Sequence, residues 1–203
     1  MFIEQPPGIY RVLFPGAFWR IKDKNKKTVY LTFDDGPIPE ITPWVLDLLD
    51  KYGIKATFFC VGDNVRKYPD TFNMLLERGH HVGNHTFNHI QGIKFRTKKY
   101  LENTEKAEEL IKSTLFRPPH GHMRYRQVLK IRKKYKIIMW DVVTRDYSPR
   151  MTPDDVFNTV KKYTRDGSII VFHDSLKSER NMKEALPKAI EWLKEQGYTF
   201  GLL

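Results

Sequence analysis

The strongest constraint on the fold is a regular alternation of short apolar runs with helical patterns along the chain. The runs are rich in β-branched and aromatic residues, and several are apolar without alternation, which is typical of strands covered on both faces. Strands that alternate with helices predict parallel pairing with right-handed crossovers. The runs occupy residues 28–33, 55–61, 80–84, 114–117, 136–142, 168–173 and 198–203.

The helical patterns between these runs carry start and stop signals. Thr42 as the N-cap and Pro43 in the first turn open one helix, and Gly53 ends it. Thr152 and Asp155 have the spacing of a capping box at the start of another helix. The predicted helices occupy residues 42–53, 69–79, 97–113, 125–135, 152–167 and 181–197.

The length of the chain limits how complete this architecture can be. A full eight-unit barrel of parallel strands and helices typically needs about 250 residues, whereas this chain has 203. We therefore expect a single domain over residues 28–203, folded as a short, incomplete (β/α) barrel with about seven parallel strands. Residues 1–27 are expected to form an N-terminal extension that packs on this domain.

Composition argues against several classes of partner. The one cysteine, Cys60, cannot form an internal disulfide, and it ends an apolar run where a small buried residue is expected. The sequence has no run of 18 apolar residues and no charged start followed by an apolar core, so we expect no stable membrane insertion. The net charge of +11 is spread over separate segments without a nucleic-acid-binding motif. It predicts solvated faces, or attraction to an acidic polymer, and no nucleic-acid partner.

Reacting groups are expected at the carboxyl ends of the strands, as in other parallel barrels. The first run is followed by Asp34 and Asp35, which precede a Gly-Pro pair. One of these carboxylates could bind a metal ion while the other acts as a base. An ordinary Asp-Gly turn is the commoner meaning of such a pair when it stands alone.

Two histidines follow the third run. His85 and His89 are four residues apart and would face the same way on a helical turn. Two histidines and a carboxylate form a standard ligand set for a catalytic metal ion with open positions. The zinc-protease pattern needs a glutamate directly after the first histidine, and this chain has Thr86 there. Asp34 or Asp35 would therefore have to supply the base.

The later runs also end in ionisable groups. Arg117 precedes two prolines, which remove two backbone donors and leave the N–H of His120 available to a substrate oxyanion. The fifth predicted strand ends in "WDVVTRDY", which places Asp141 and Asp146 near the same carboxyl-terminal end of the sheet. His173 ends the sixth run and is expected there as well.

In this order, the motifs resemble the polysaccharide deacetylase family, also called the NodB-homology domain or carbohydrate esterase family 4. The resemblance extends from "TFDDGP" to "IIVFHD", residues 32–174, and implies a NodB-like fold for the catalytic domain. Its first motif implies that Asp34 is the general base and Asp35 a metal ligand. The motif "HTFNH" implies that His85 and His89 are the other two ligands of one divalent metal ion. Zinc is the expected metal, and cobalt and nickel are the alternatives.

The remaining motifs imply the acid–base partners and the contacts with the glycan. Arg117 is expected to pair with and orient Asp34. Asp146 is expected to orient His173, which the resemblance assigns as the general acid. Three substrate-binding positions depart from the residues usual in the family, with His for an aromatic residue (often Tyr), Tyr for Trp and Val for Leu. The expected substrate-binding residues are His120, Gly121, Tyr147 and Val171.

The resemblance implies a metal-dependent hydrolase that removes N-acetyl groups from N-acetylglucosamine-containing glycans, such as peptidoglycan or chitin-like polymers, and releases acetate. An O-acetyl esterase acting on xylan-like material and a catalytically silent glycan-binding module are the alternatives. All expected ligands and both acid–base groups are present in the sequence, which argues against the silent module. We expect a glycan as the partner and a monomeric chain. The compartment stays open, with the cytoplasm as the default although many members of the family act at the cell envelope.

Overall fold

The computed structural model describes residues 4–203, which form an α/β fold built on one curved sheet. Eight strands are found in the described part of the chain, and neighbouring strands pair in parallel. In chain order, β1 to β8 are Thr28–Asp34, Thr57–Cys60, His81–Asn84, Leu115–Phe116, Lys136–Ile137, Val142–Val143, Ile169–His173 and Thr199–Phe200.

The helices cover the strands and agree in position with the predicted ones, apart from two short additions near the amino end and after β2. Within residues 4–203, no helix has the length and apolar character needed to cross a bilayer. In chain order, α1 to α8 are Tyr10–Leu13, Thr42–Tyr52, Gly62–Lys67, Pro69–Glu77, Thr97–Ile111, Tyr125–Ile131, Pro153–Tyr163 and Glu179–Glu195. Two 3₁₀ turns occupy Gly92–Lys94 and Pro119–Gly121.

Strand β1 lies at the centre of the sheet, whose order is β5-β4-β3-β2-β1-β7-β6, with β8 paired to the amino half of β1. All seven residues of β1 are buried, as the unbroken apolar run predicted. Its Asp34 is level with His173 at the end of β7. Strands β1 and β7 therefore place two ionisable side chains together at the carboxyl-terminal end of the sheet.

The run 136–142 was expected to be one strand, but it forms two strands at opposite edges of the sheet. Ile138 donates its backbone N–H to Phe116 at one edge, and Asp141 donates its own to Ile169 at the other. Three residues span at most about 11 Å. The two edges of the sheet must therefore approach each other closely. This confirms the short, incomplete barrel, since the sheet curls until its edges nearly meet.

The segment before β1 lies across the gap between these edges. Phe18 donates its N–H to Ile137 and accepts a hydrogen bond from the N–H of Met139. Ile21 then donates its N–H to Gly167, just before β7. The segment thus joins the two edges by backbone hydrogen bonds. Residues 1–3 of the expected N-terminal extension lie outside the described residues.

Three of the four predicted helix signals hold, including Pro43 in the first turn of α2. Thr152 and Asp155 form the expected capping box at the start of α7, and Gly53 ends α2 in the left-handed conformation. The assignment of Thr42 as an N-cap is wrong, because α2 begins at Thr42 and Ile41 precedes it without a side-chain cap. The Thr42 hydroxyl is used in contacts with the loop after β1 and with the end of β7.

Candidate active site

A cleft of about 870 Å³ lies at the carboxyl ends of the strands. Arg117 and Asp146 do not line the cleft but lie behind its wall, where neither side chain is exposed to solvent. Apart from Asp141, the structure brings the residues predicted for the site together in one place. Those that line the cleft are Asp34, Asp35, His85, His89, His120, Gly121, Tyr147, Val171 and His173.

Asp35, His85 and His89 form a compact cluster of potential metal ligands. One donor atom from each of the three side chains lies within 4.8 Å of the others. The Nε2 atom of His89 is 3.0 Å from Oδ1 of Asp35, and the Nε2 atom of His85 is 3.7 Å from the same oxygen. This is a two-histidine, one-carboxylate set that leaves coordination positions open to water and substrate.

Hydrogen bonding prepares His85 for a metal ion. Its Nδ1 lies 2.8 Å from the backbone carbonyl of Arg117, which can only accept, so Nδ1 carries the proton and Nε2 keeps a free lone pair. Burial lowers the pKa of His85 to about 4, despite the nearby charge of Asp34, so the ring is neutral at pH 7. The tautomer and the charge of His85 both suit metal binding.

The carboxyl group of Asp35 is also prepared as a ligand. Burial alone raises the pKa of Asp35, but a hydrogen bond from His89 and the positive charge of His173 outweigh this effect. The pKa of Asp35 therefore lies below its ordinary value, and the group is ionised at neutral pH. An anionic oxygen beside two imidazole nitrogens fits a divalent ion such as zinc.

Asp34 is held by a fully buried arginine. Nη1 of Arg117 donates to Oδ1 of Asp34 at 2.6 Å and to the hydroxyl of Thr32 at 2.8 Å. The guanidinium also donates to the backbone carbonyls of Ile138 and Met139. These contacts fix one oxygen of Asp34 against Arg117. Its other oxygen, Oδ2, lies 4.0 Å from Nε2 of His85, on the side of the metal cluster.

His173 is fixed by Asp146. The two carboxylate oxygens of Asp146 bond to the ring Nδ1 of His173 at 2.7 Å and to its backbone N–H at 2.8 Å. Asn181 in turn donates to the backbone carbonyl of Asp146. Because Nδ1 is engaged, Nε2 is the nitrogen that His173 can offer to a substrate in the cleft.

The turn after β4 presents the backbone of His120 to the cleft. His120 and Gly121 have φ values of 58° and 69° in the short turn that follows the two prolines. Among residues 4–203, no group accepts a hydrogen bond from the His120 N–H. A Cβ on Gly121 would lie 2.5 Å from the ring of Trp140, so glycine allows this turn to pack on the indole. The His120 ring lies against His89, with 4.7 Å between ring centroids.

Tyr147 and Val171 form part of the wall beside His173. The rings of Tyr147 and His173 meet edge to face, with their centroids 4.7 Å apart. Val171 lies two residues before His173 on β7 and is buried. Both residues line the cleft on the side of His173, and their contact with substrate stays a prediction.

The backbone is unusual at several of these residues. Asp35, His89, His120 and Arg145 all have positive φ values and all line the cleft. A non-glycine residue in this region costs about 1–3 kcal/mol and persists only when its surroundings fix it. Such residues concentrate at functional sites in many proteins. Here they turn side chains into the cleft that a regular strand or helix would point elsewhere.

One predicted site position is wrong. Asp141 was expected at the edge that carries the cleft, but its carboxylate bonds to Arg165 and to the hydroxyl of Ser168. Ser168 directly precedes β7, so Asp141 lies at the amino-terminal ends of the strands, opposite the cleft. The reason is the division of the run 136–142, because β6 begins only after Asp141.

Sequence reasoning also missed residues that support the site. Thr32 accepts a hydrogen bond from Arg117, and Asn64 donates to the backbone carbonyl of Asp35 at 2.8 Å. Asp174 and Thr42 bond to each other beside the Asp34–Asp35 loop. The only local signal for any of these was the position of Asp174 directly after His173.

A family model described as polysaccharide deacetylase matches residues 21–140, more than half of the chain. The chain belongs to the polysaccharide deacetylase family. A relative from Bacillus cereus named peptidoglycan-N-acetylglucosamine deacetylase is 35% identical over 191 residues, which cover 90% of this chain and 88% of the relative. This member of the family therefore matches, over most of the length of both chains, a protein named as a peptidoglycan-N-acetylglucosamine deacetylase.

Solved structures give the same family and the same fold. The crystal structure of a peptidoglycan N-acetylglucosamine deacetylase in complex with 4-naphthalen-1-yl-N-oxidanyl-benzamide superposes with a TM-score of 0.88 at 32% identity. The match covers 98% of this chain and 95% of that one. A pseudoenzyme of the family from Bacillus anthracis has a TM-score of 0.82 at 30% identity and covers 93% of this chain and 68% of that one. Because the family includes a pseudoenzyme, catalysis has to be argued from the site itself.

Proposed function

We propose that this polysaccharide deacetylase is a metal-dependent N-deacetylase that acts on N-acetylglucosamine-containing glycans, with peptidoglycan as the first candidate. The observation that carries the proposal is that three groups of side chains meet at one cleft. These are a ligand cluster suited to a divalent metal ion, a carboxylate fixed by a buried arginine, and an imidazole fixed by a buried carboxylate. Metal-assisted amide hydrolysis uses a Lewis acid, a base and an acid on the leaving side, and each of these groups corresponds to one of them.

Asp35, His85 and His89 would hold the metal ion. When bound, a divalent ion such as zinc polarises the acetyl carbonyl and lowers the pKa of water; cobalt and nickel are alternative metals for this site. Asp34 accepts the proton of the attacking water. The hydrogen bond from Arg117 fixes one oxygen of Asp34 and leaves the other directed to the metal cluster.

The backbone and the acid complete the reaction. The His120 N–H donates to the oxygen of the acetyl carbonyl as negative charge develops there. His173 donates the proton on Nε2 to the leaving nitrogen, and Asp146 keeps the ring oriented by bonding to Nδ1. The C–N bond breaks, and acetate and a free amino sugar leave.

The proposal is supported by the names of the relatives, which include a peptidoglycan-N-acetylglucosamine deacetylase and a peptidoglycan-N-acetylmuramic acid deacetylase from Bacillus subtilis. The open cleft supports a polymeric substrate, and the net charge of +11 favours association with an acidic cell-wall polymer. The N-acetyl preference rests on these names, and His173 is placed to supply the proton that a leaving amine requires.

The test is acetate release from acetylated glycans by the purified chain. Metal-free protein is supplied with zinc, cobalt or nickel in turn and offered peptidoglycan, chitin oligomers and acetylated xylan. We expect acetate from the two N-acetylated substrates, only with metal, and no acetate from an Asp35→Asn variant. Acetate mainly from xylan would favour the O-acetyl esterase instead.

A silent glycan-binding module is the remaining alternative. Glycan binding by the metal-loaded chain with no acetate released from any substrate would favour it. The intact ligand cluster and the His173–Asp146 pair argue against it, because a module that only binds has no need of either.

A further inference from the structure

Asp174 is a buried carboxylate to which the proposed reaction gives no role. It directly follows His173 at the end of β7 and is 1% exposed. Its Oδ1 accepts the backbone N–H of Gly36 at 3.1 Å, and its Oδ2 accepts the hydroxyl of Thr42 at 2.6 Å. Its own backbone N–H donates to the carbonyl of Asp34 at 3.1 Å. Asp174 therefore contacts the backbone on both sides of Asp35, at Asp34 and at Gly36.

The Thr42 hydroxyl bridges the loop and Asp174. Its oxygen accepts the backbone N–H of Ile38 at 2.8 Å, and its proton is donated to Oδ2 of Asp174 at 2.6 Å. The Asp174 carboxylate thus accepts hydrogen bonds from Gly36 and from Thr42, the first and last residues of the segment 36–42. It ties residues 36–42 to β7.

The packing around Gly36 is so tight that a side chain there would displace Asp174. A Cβ at this position would lie 2.0 Å from Oδ2 of Asp174 and 2.6 Å from Oδ1. The carboxylate therefore lies directly against the backbone beside Asp35. Asp35 itself has a φ of 82°, a conformation that a non-glycine residue keeps only when its neighbours hold it.

We infer that Asp174 is a positioning residue for the metal site, and that it holds the loop 34–36 so that Asp35 faces His85 and His89. The inference rests on the proposed function, since it takes Asp35 as a metal ligand. The loop has a second restraint on its other side, where Asn64 donates to the carbonyl of Asp35 and Val61 to that of Gly36. Asp174 supplies the restraint from the β7 side.

The inference predicts weaker metal binding without a change of ligand. An Asp174→Asn variant keeps the size of the side chain but replaces one acceptor oxygen by an NH2 donor, so Gly36 and Thr42 can no longer each donate to an oxygen of this side chain. Loss of a group that orients a metal ligand typically weakens affinity about 10- to 100-fold. Thr42→Val removes one of the two donors and should weaken zinc binding less, whereas Thr42→Ser keeps the hydroxyl and should bind zinc as the wild type does.

Two buried residues elsewhere supply matched controls. Asp141 is a buried carboxylate at the amino-terminal ends of the strands, opposite the cleft. Thr104 is a buried threonine of α5 whose hydroxyl donates to the Tyr100 carbonyl. Asp141→Asn and Thr104→Val should lower the melting temperature without changing the affinity for zinc. Any general effect of losing a buried polar contact is thereby separated from an effect on the site.

The experiment is a titration of the metal-free full chain with zinc, against a chromophoric chelator, for the wild type and all variants. The absorption spectrum of the cobalt form reports ligand geometry independently of activity. The expected result is weaker zinc binding and an altered cobalt spectrum for Asp174→Asn, a smaller effect for Thr42→Val, and recovery with Thr42→Ser. Wild-type zinc binding that is unchanged in Asp174→Asn and Thr42→Val would overturn this inference alone. A wild-type chain that binds no zinc would overturn the proposed metal site, and the inference with it.

Discussion

Asp146 holds His173 by two hydrogen bonds, one to the ring Nδ1 at 2.7 Å and one to the backbone N–H at 2.8 Å. Burial lowers the pKa of His173, but the charge and hydrogen bond of Asp146, together with the charges of Asp35 and Asp34, outweigh this effect. The pKa of His173 is thereby raised to about 9. The imidazole is protonated at neutral pH, which is the state that a general acid requires.

Replacing His173 by alanine should therefore slow amide cleavage much more than cleavage of an activated ester. The loss of a general acid typically costs about 10²–10⁴ in rate. An amine leaves poorly without a proton, whereas a nitrophenolate leaves readily on its own. We expect a loss of this size in kcat on an N-acetylglucosamine oligomer and a much smaller loss on 4-nitrophenyl acetate, if that ester is accepted.

The exposed histidine His81 provides the control for this prediction. It lies at the amino-terminal end of β3, away from the cleft, and bonds to the carbonyl of Leu203. His81→Ala should leave both activities unchanged. Equal losses on both substrates in His173→Ala, with fold and metal content retained, would show that His173 binds substrate or tunes the metal and does not act as the acid.

The pH dependence should shift when Asp146 is replaced by asparagine. In the wild type, His173 loses its proton as the pH rises through about 9, so kcat/KM should fall above that pH. Asp146→Asn removes the negative charge that raises the pKa of His173, so the fall should begin at lower pH. A profile of kcat/KM measured with saturating metal at each pH decides the matter, and an unmoved alkaline limb would mean that another group controls it.

Asp34 and Asp35 should differ when each is replaced by asparagine. Asp35 lies 3.0 Å from Nε2 of His89 within the ligand cluster, whereas Asp34 bonds to Arg117 at 2.6 Å. Asp35→Asn should weaken zinc binding. Asp34→Asn should retain zinc and lose about 10²–10⁴ in kcat, the contribution of a general base. Titration with zinc and turnover under saturating metal measure the two effects separately, and equal loss of zinc in both variants would mean that the two roles are wrongly divided.

The sequence predicted the fold class and the set of residues at the cleft because both depend on local patterns. Unbroken apolar runs such as residues 28–33 identify strands covered on both faces, and the residue after each run is placed at one edge by the parallel arrangement. The convergence of Asp35, His85 and His89 followed from this rule and from the order of the motifs.

What the sequence did not predict depends on contacts between distant segments. His85 and His89 were expected on a helical turn, but they lie in a loop in which Thr86 and His89 have positive φ values. The division of the run 136–142 is set by the distance between the sheet edges, which no local pattern records. The contact of Asn64 with Asp35 joins residues 29 positions apart, and its only local feature is a polar side chain near a helix start.

Arg117 should contribute strongly to the stability of the fold. Its guanidinium is fully buried, bonds to Asp34, and stacks over the ring of Phe59 at 4.0 Å. Arg117→Met would keep much of the volume but leave the Asp34 carboxylate buried without its partner. Breaking a buried ion pair in this way typically costs about 3–5 kcal/mol.

Arg78 serves as the comparison, because its ion pairs with Asp47 and Asp50 are at the surface. Arg78→Met should cost at most about 1 kcal/mol, as is usual for exposed ion pairs. Urea unfolding of the metal-free chain measures both free energies of unfolding without interference from metal binding. If Arg117→Met were as stable as Arg78→Met, the buried pair would contribute nothing beyond its packing, and the role of Arg117 would be limited to orienting Asp34.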